Sequence, residues 1–302
     1  MTPTHLERSN DVDERPARGT LHVVATPIGN LGDVTIRAAR VLGAVRLVVA
    51  EDTRHSGRLL AHLGIKVPLL SFHEHNRTAR IPRILAALDE GDVAIVTDAG
   101  TPSISDPGQD LVAAAREAGY SVVAVPGASA LAASIMVAGI ASDFAHFLGF
   151  LPRRTPERRR VLAMAATWPG AVVFFEAPHR LVESLSDAAE LCGDREASVC
   201  NDLTKRFERV WHDRLSGLVA AFTTDPPRGE FTVVIAPAAT GPGEAATAPM
   251  PRARALGERL HELVRVTGDR KEAWRRLAAE SGYSRKVLYA RLVERAEPEP
   301  IE

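Results

Sequence analysis

The chain has 302 residues, 45% hydrophobic and 25% charged, with a formal net charge of −1. That length holds two or three domains and buries roughly 75% of the unfolded chain's surface, so core size is not limiting. The charge excludes a general polyanion binder, two cysteines (Cys192 and Cys200) exclude a disulfide framework or cysteine-rich zinc site, and no apolar run approaches the ~20 residues of a membrane span.

Residues 1–19 are polar and mixed in charge, without a signal-peptide core, and read as a disordered tail of a cytoplasmic protein. Short apolar runs then alternate with helical patterns. Residues 21–25 predict a strand. Residues 34–42 predict a helix with Asp33 as N-cap. Leu47–Ala50 predicts a second strand, and 57–63 a helix stopped by Gly64. Residues 69–72 predict a third strand, 77–88 a helix closing near Gly91, and Val93–Val96 a fourth strand. Asp106-Pro107-Gly108-Gln109 then reads as a helix start, with Asp106 as N-cap, Pro107 at N1 and Gln109 at N3. That helix ends at Gly119, and Ser121–Val125 is the fifth strand.

Repeated β-α units with near-continuous apolar strands are the signature of a parallel sheet covered on both faces. Ligands in such sheets sit at the carboxyl ends of the strands. The loops there are 26–32, 51–54, 73–76, 97–105 and 126–129, and they hold all the unusual residues of this half. A second α/β segment follows, with strand patterns at 146–150, 172–175, 196–200 and 231–236. Residues 238–251 are rich in Ala, Gly, Pro and Thr and read as a linker. Beyond them a helix at 270–279, a turn at Gly282, a cap at Ser284 and a second helix carrying Val287, Leu288 and Leu292 suggest a helix-turn-helix-like module over 252–296, with 297–302 as a tail.

There is no phosphate-binding P-loop, no dinucleotide-binding glycine fingerprint and no nucleophile elbow. His73-Glu74-His75 lacks a third ligand at helical spacing, so no metal site is assigned. The stretch T-D-A-G-T-P-S-I-S-D-P-G at 97–108 combines glycines, which let backbone approach a ligand, with prolines that stiffen it. Pro126-Gly127-Ala128-Ser129-Ala130 after the next strand has the same character. Taken alone, each also reads as a rigid turn. Together they suggest a narrow slot for a flat, mostly apolar ligand. Neither loop contains a lysine or arginine, so they make a poor phosphate nest.

T-P-I-G-N-L at 26–31, A-E-D-T-R at 50–54, S-F-H-E-H-N at 71–76, the 97–108 stretch, V-P-G-A-S-A at 125–130 and F-F-E-A-P-H-R at 174–180 occur in order. This set resembles the tetrapyrrole methylase-like superfamily, over about residues 20–236. More narrowly, it is similar to the branch that methylates a cytidine 2′-oxygen in 16S ribosomal RNA. Tetrapyrrole-modifying members show G-x-G-P-G at the first loop, where this chain has Thr26-Pro27-Ile28-Gly29-Asn30, which argues against a porphyrinoid substrate.

The resemblance implies two α/β domains of the tetrapyrrole methylase (class III methyltransferase) type, at 20–140 and 141–237, with S-adenosylmethionine in a cleft between them and a small C-terminal helical module. It implies a homodimer whose partner is 16S rRNA, on the assembled small subunit, with no DNA or membrane partner. Carried over, the cofactor residues are Pro27, Gly29, Asp98, Ala99, Gly100, Thr101, Pro102, Ile104, Ser105, Pro126, Gly127, Ala128, Ser129 and Ala130. The second domain adds Glu176, Ala177, Pro178, Phe231 and Thr232.

The general base is open among Glu51, Asp52, His73, Glu74, Glu176 and His179, which sit in strand-end loops; pairing with Arg54 or Arg180 is the competing role. RNA requires cations. Arg153, Arg154, Arg158, Arg159 and Arg160 form the densest basic run, with Arg54, Arg80, Arg180, Lys205 and Arg206 as further candidates; a solvated basic loop is the alternative. Two other functions fit the same residues: a methyltransferase of this fold with a small-molecule acceptor, and a non-catalytic ribosome-assembly binder.

Overall fold

The computed structural model describes residues 18–106, 108–238, 253–281 and 288–289. Residues 1–17 of the tail expected at 1–19, the tail at 297–302, Pro107, and the linker beyond residue 238 lie outside these residues; Arg18 and Gly19 are bonded to the first unit, through the Ala118 carbonyl at 2.9 Å and the Leu88 carbonyl at 2.8 Å. The chain divides into two compact units, one containing residues up to 133 with 203–208, the other 134–202 and the chain from 209 onward. The division therefore falls before residue 140, and a short piece of the later sequence joins the first unit.

In the first unit β1 (Thr20–Val24), β2 (Leu47–Ala50), β3 (Leu69–Ser71), β4 (Val93–Val96) and β5 (Ser121–Val125) form one parallel sheet in the order β3-β2-β4-β1-β5. Parallel neighbours need crossovers, supplied here by α1 (Ile36–Ala44), α2 (Thr53–His62), α3 (Arg77–Glu90) and α4 (Gln109–Glu117). Side chains alternate across the sheet. Val93 and Ile95 pack with Ile84 and Leu88 of α3 and Leu111 of α4. Ala94 and Val96 pack with Leu42 of α1 and Leu60 of α2 on the other face. Burial on both faces explains the uninterrupted apolar strands.

Three helix starts differ from expectation. Thr35, not Asp33, caps α1, its Oγ1 accepting from the Ala38 amide at 3.0 Å. Residues Leu31–Asp33 form a separate 3-10 turn capped by Asn30. α2 begins at Thr53, four residues ahead of Gly57, with Asp52 as its cap accepting from the Arg54 amide at 2.8 Å. Asp106 does not cap α4; Gly108 occupies the cap without a side-chain bond.

The second unit holds a mixed sheet of β6 (Ala145–Phe150), β7 (Ala171–Glu176), β8 (Glu196–Asn201), β9 (Arg209–Arg214) and β10 (Phe231–Ile235), ordered β6-β7-β10-β8-β9. β6 and β7 are parallel; the other pairs are antiparallel. Helices α6 (Thr155–Ala165), α7 (Pro178–Cys192) and α8 (Leu215–Thr224) cover it through a core including Leu162, Phe174, Leu185, Phe222 and Val233. α5 (Ala130–Val137) runs across the division between the units.

Helices α9 (Ala253–Thr267) and α10 (Arg270–Ser281) are joined at Gly268 and Asp269 and share a core of Leu256, Leu263, Ala273, Trp274 and Leu277. The helical hairpin thus begins one helix earlier than expected. The expected turn at Gly282, with Ser284, Val287 and Leu292, lies outside the described residues. Among the described residues, no helix is long and apolar enough to cross a membrane.

Candidate functional site

At the carboxyl edge of the first sheet, hydrogen bonds tie the strand-end loops to one another. Thr26 and Gly100 bridge the β1 and β4 loops through paired backbone bonds of 2.8 and 3.1 Å. The buried Thr26 hydroxyl donates to the Thr97 carbonyl at 3.1 Å. The Thr101 hydroxyl donates to the Ala128 carbonyl at 3.3 Å, fixing the β4 loop to the β5 loop. The Asp52 amide donates to Asp98 Oδ1 at 3.1 Å, fixing it to the β2 loop. One edge thus gathers Pro27, Gly29, residues 98–105 and 126–130, as the sequence suggested.

The β4 loop is strained. Ser103 and Ser105 hold φ values of 71° and 63°, costing of order 1–3 kcal/mol each, which persists only where surrounding structure enforces it. Pro102 is buried, and the Ser103 Oγ is buried without a partner among the described residues. Ala99, Pro126 and Gly127 are exposed at this edge.

Three carboxylates of this edge act on one another. Burial pushes the Glu51 carboxyl up, Asp98 adds to the effect, and the Thr97 hydroxyl and His73 oppose it. Burial also pushes Asp106 up to about 6, with Glu51 and Asp98 adding and the Thr97 hydroxyl opposing. Thr97 Oγ1 lies 3.3 Å from Glu51 Oε2. Thr97 has a single hydroxyl proton to donate, and both Glu51 and Asp106 lie within its influence. Asp106 escapes sequence reasoning because Asp-Pro-Gly imitates a cap; the strained serines beside it carry the signal that this turn is not a plain helix start.

Asp106→Asn is therefore expected to stabilise the protein at pH 8 by about 1 kcal/mol, allowing for solvent screening. The ionised form is disfavoured in the fold, so the wild type itself gains stability as pH falls through about 6 toward the unfolded value of 3.8. The advantage of the variant should fade over that window. Chemical denaturation at pH 8 and pH 4 measures it.

Several base candidates are otherwise engaged. Hydrogen bonding from Arg54 holds Asp52 well below the usual carboxylate range. His73 Nε2 lies 3.0 Å from Asn76 Nδ2, whose Oδ1 accepts from the His73 amide. Its Nδ1 is buried and unpartnered among the described residues. Glu74 is exposed. In the second unit Glu176 is buried, accepting from Ser184 Oγ at 2.6 Å and the Ala177 amide at 2.9 Å, with Arg180 at 3.3 Å. It is a structural anchor for the start of α7, which removes it from the base candidates; His179 beside it is exposed. Phe231 and Thr232 pair with Glu176 and Phe175 across β10 and β7, and the side chains of Phe231 and Thr232 are buried. Among the described residues no group of three or more His, Cys, Asp or Glu is placed to hold a metal ion.

The basic run divides in two. Arg158 is 1% exposed, its Nε 2.7 Å from Asp187 and its Nη2 3.0 Å from Glu183. Arg159 pairs with Asp187 at 2.7 Å and with Glu190. Both belong to the α6–α7 contact, and Arg158 is corrected from RNA ligand to core residue. Arg153, Arg154 and Arg160 remain exposed. Arg180 donates to the Leu151 and Pro152 carbonyls at 2.8 and 2.9 Å and is likewise committed. Arg54 is exposed but paired with Asp52, and Arg80 is half-buried on α3.

Residues 20–219 match the model of the family described as tetrapyrrole (corrin/porphyrin) methylases. The ribosomal RNA small subunit methyltransferase I of Synechocystis sp. is 43% identical over 273 residues, covering 90% of this chain and 96% of that protein. The protein of the same name from Pseudomonas aeruginosa is 43% identical over 281 residues, covering 92% and 98%. Among solved structures, a cobalt precorrin-4 methyltransferase aligns with a TM-score of 0.56 at 17% identity, over 72% of this chain and 94% of that one. Uroporphyrin III C-methyltransferase from Thermus thermophilus, complexed with S-adenosylhomocysteine, aligns at 0.52 and 20%, over 72% and 96%. These two structures share the fold.

Proposed function

Since the chain belongs to the tetrapyrrole (corrin/porphyrin) methylase family, we propose that it is a methyltransferase that moves a methyl group from S-adenosylmethionine to a cytidine ribose 2′-oxygen in the decoding region of 16S rRNA, on the assembled small subunit. The observation that carries this reading is the match along nine-tenths of the chain to proteins named for methylating small-subunit ribosomal RNA.

The residues present suit the cofactor. Pro27, Gly29, residues 98–105 and 126–130 offer rigid backbone without a cation, Ala177 and Pro178 are the assigned contacts from the second unit, and the buried Phe231 and Thr232 are assigned a supporting role beneath them. Glu51, Asp98 and Asp106 place negative charge on the loop edge, which suits a positively charged ligand. The cofactor supplies a methyl group activated on a sulfonium sulfur. The tied loops would position the bound cofactor for attack by the acceptor oxygen, and such positioning contributes roughly 7–11 kcal/mol. Glu51 and Asp106, both lifted toward neutral pH, are the carboxyl groups we assign to receive the ribose hydroxyl proton, a contribution of about 10²–10⁴-fold.

Arg153, Arg154 and Arg160 are the assigned phosphate contacts. A homodimer accords with the exposed apolar side chains of the first unit, Ile36 (81%) and Val123 on edge strand β5, and of the second, Ile135, Met136 (83%) and Val137. The cytoplasm, where small subunits reside, is the compartment this reading assigns. Transfer of a labelled methyl group to purified small subunits tests the reading: label on the RNA strand, lost steeply with added salt, is expected. Cofactor binding with no label on subunits would shift the assignment to a small-molecule acceptor or to an assembly binder.

A further inference from the structure

We infer that Phe207 and Arg206 form a stacking platform for an unpaired base of the RNA acceptor, an assignment that rests on the RNA reading above. Residues 203–208 link β8 to β9 of the second unit but belong to the first. Leu203 is buried, and the Lys205 stem lies so close to Gly29 that a Cβ there would overlap Lys205 Cγ. The segment is therefore seated on the β1 loop, at the edge that carries the tied ligand loops.

The segment is rigid. Thr204 holds φ at 65°, in the left-handed region that β-branched residues avoid, and follows Asp202 at 48°, a conformation aspartate tolerates. The Thr204 amide donates to Glu208 Oε2 at 2.6 Å, and the Glu208 amide to the Lys205 carbonyl at 3.1 Å. Such strain is held at binding sites more than at plain turns.

What the turn presents is an aromatic ring in water. Phe207 is 71% exposed, with the Arg206 guanidinium 5.5 Å from its ring centroid. An exposed phenylalanine adds nothing to the fold, whereas a flat ring beside a guanidinium offers a base one stacking face and a phosphate one charge. A base stacked there would sit beside the β1 loop, so the platform would set which nucleotide reaches the acceptor position.

The test compares the full-length wild type with Phe207→Leu, Phe207→Trp and Arg206→Gln, using small ribosomal subunits that lack the methyl group. Phe207→Leu keeps apolar contact but loses stacking, and its KM for subunits should rise about 10–100-fold. Phe207→Trp should keep wild-type KM, and Arg206→Gln should raise KM and flatten its salt dependence. Equilibrium binding of S-adenosylmethionine and the sedimentation coefficient should be unchanged in all three. A Phe207→Leu variant with wild-type KM overturns the platform, as does one whose loss accompanies a changed oligomeric state. Wild type that methylates subunits alongside an unaffected Leu variant sinks this inference alone. Wild type that methylates no subunit sinks the RNA reading, and the platform with it.

Discussion

Replacing Arg158 with alanine is expected to destabilise the protein by about 3–5 kcal/mol, a fall in Tm on the order of 10 °C. The guanidinium is 1% exposed and bonds Asp187 and Glu183, and Thr155 Oγ1 lies 3.4 Å from its Nη2. Removing it leaves Asp187, itself 10% exposed, with only Arg159 as a cation, and opens a void between α6 and α7. Arg153→Gln and Arg160→Gln, on exposed positions of the same run, should change stability by less than about 0.5 kcal/mol while weakening binding to subunits. Thermal denaturation separates the two groups. An Arg158→Ala variant that melts like wild type and fails only on RNA would contradict the assignment of Arg158 to the core.

Gly100→Ala is expected to weaken S-adenosylmethionine binding by at least about tenfold, equivalent to about 1.4 kcal/mol. Gly100 holds φ at 83°, and a Cβ there would stand 3.2 Å from Ile28 Cγ2. An alanine in that conformation costs roughly 1–2 kcal/mol. Relaxing it would rotate the two backbone groups that bridge to Thr26, and with them the loop that carries Asp98 and Thr101. Gly64→Ala is the matched control: φ is 68°, nothing lies within 4 Å of the added Cβ, and the residue follows α2 away from the strand-end loops. Both variants should lose similar stability, but only Gly100→Ala should lose cofactor affinity. Equal cofactor affinity in the two would contradict the role given to the β4 loop.

The first sheet was legible because β2 and β4 are buried on both faces, and because even the partly exposed edge strand β5 keeps an apolar run. Leu47–Ala50, Val93–Val96 and Ser121–Val125 are apolar runs bounded by polar loops, and they fold where they were expected. β9 was not legible. Its sequence Arg-Val-Trp-His-Asp-Arg is mostly exposed at the edge of the second sheet, so no apolar period marks it, and its place comes from pairing with β8. The arginine run misled for a related reason. Five cations in eight residues look like one surface, yet Arg158 shares a buried face with Leu162 and Ala165, at i, i+4 and i+7. That period was present in the sequence, and the partner that makes burial tolerable, Asp187 on α7, lies 29 residues away. The strand-end loops at 26–31, 97–105 and 126–130 were legible as motifs. The carboxylate cluster was only half legible, since Glu51 and Asp98 end strands while Asp106 stands where a helix cap is usual. Its displacement from that role shows in the Gly108 cap and in the shared hydroxyl of Thr97.

The central claim is the identity of the methyl acceptor. The direct measurement is nucleoside mass spectrometry on small subunits from cells lacking this chain, after incubation with the protein and labelled S-adenosylmethionine. Labelled 2′-O-methylcytidine that appears only with the protein is the expected result. Label on a base, label confined to small molecules, or no transfer despite cofactor binding would contradict it.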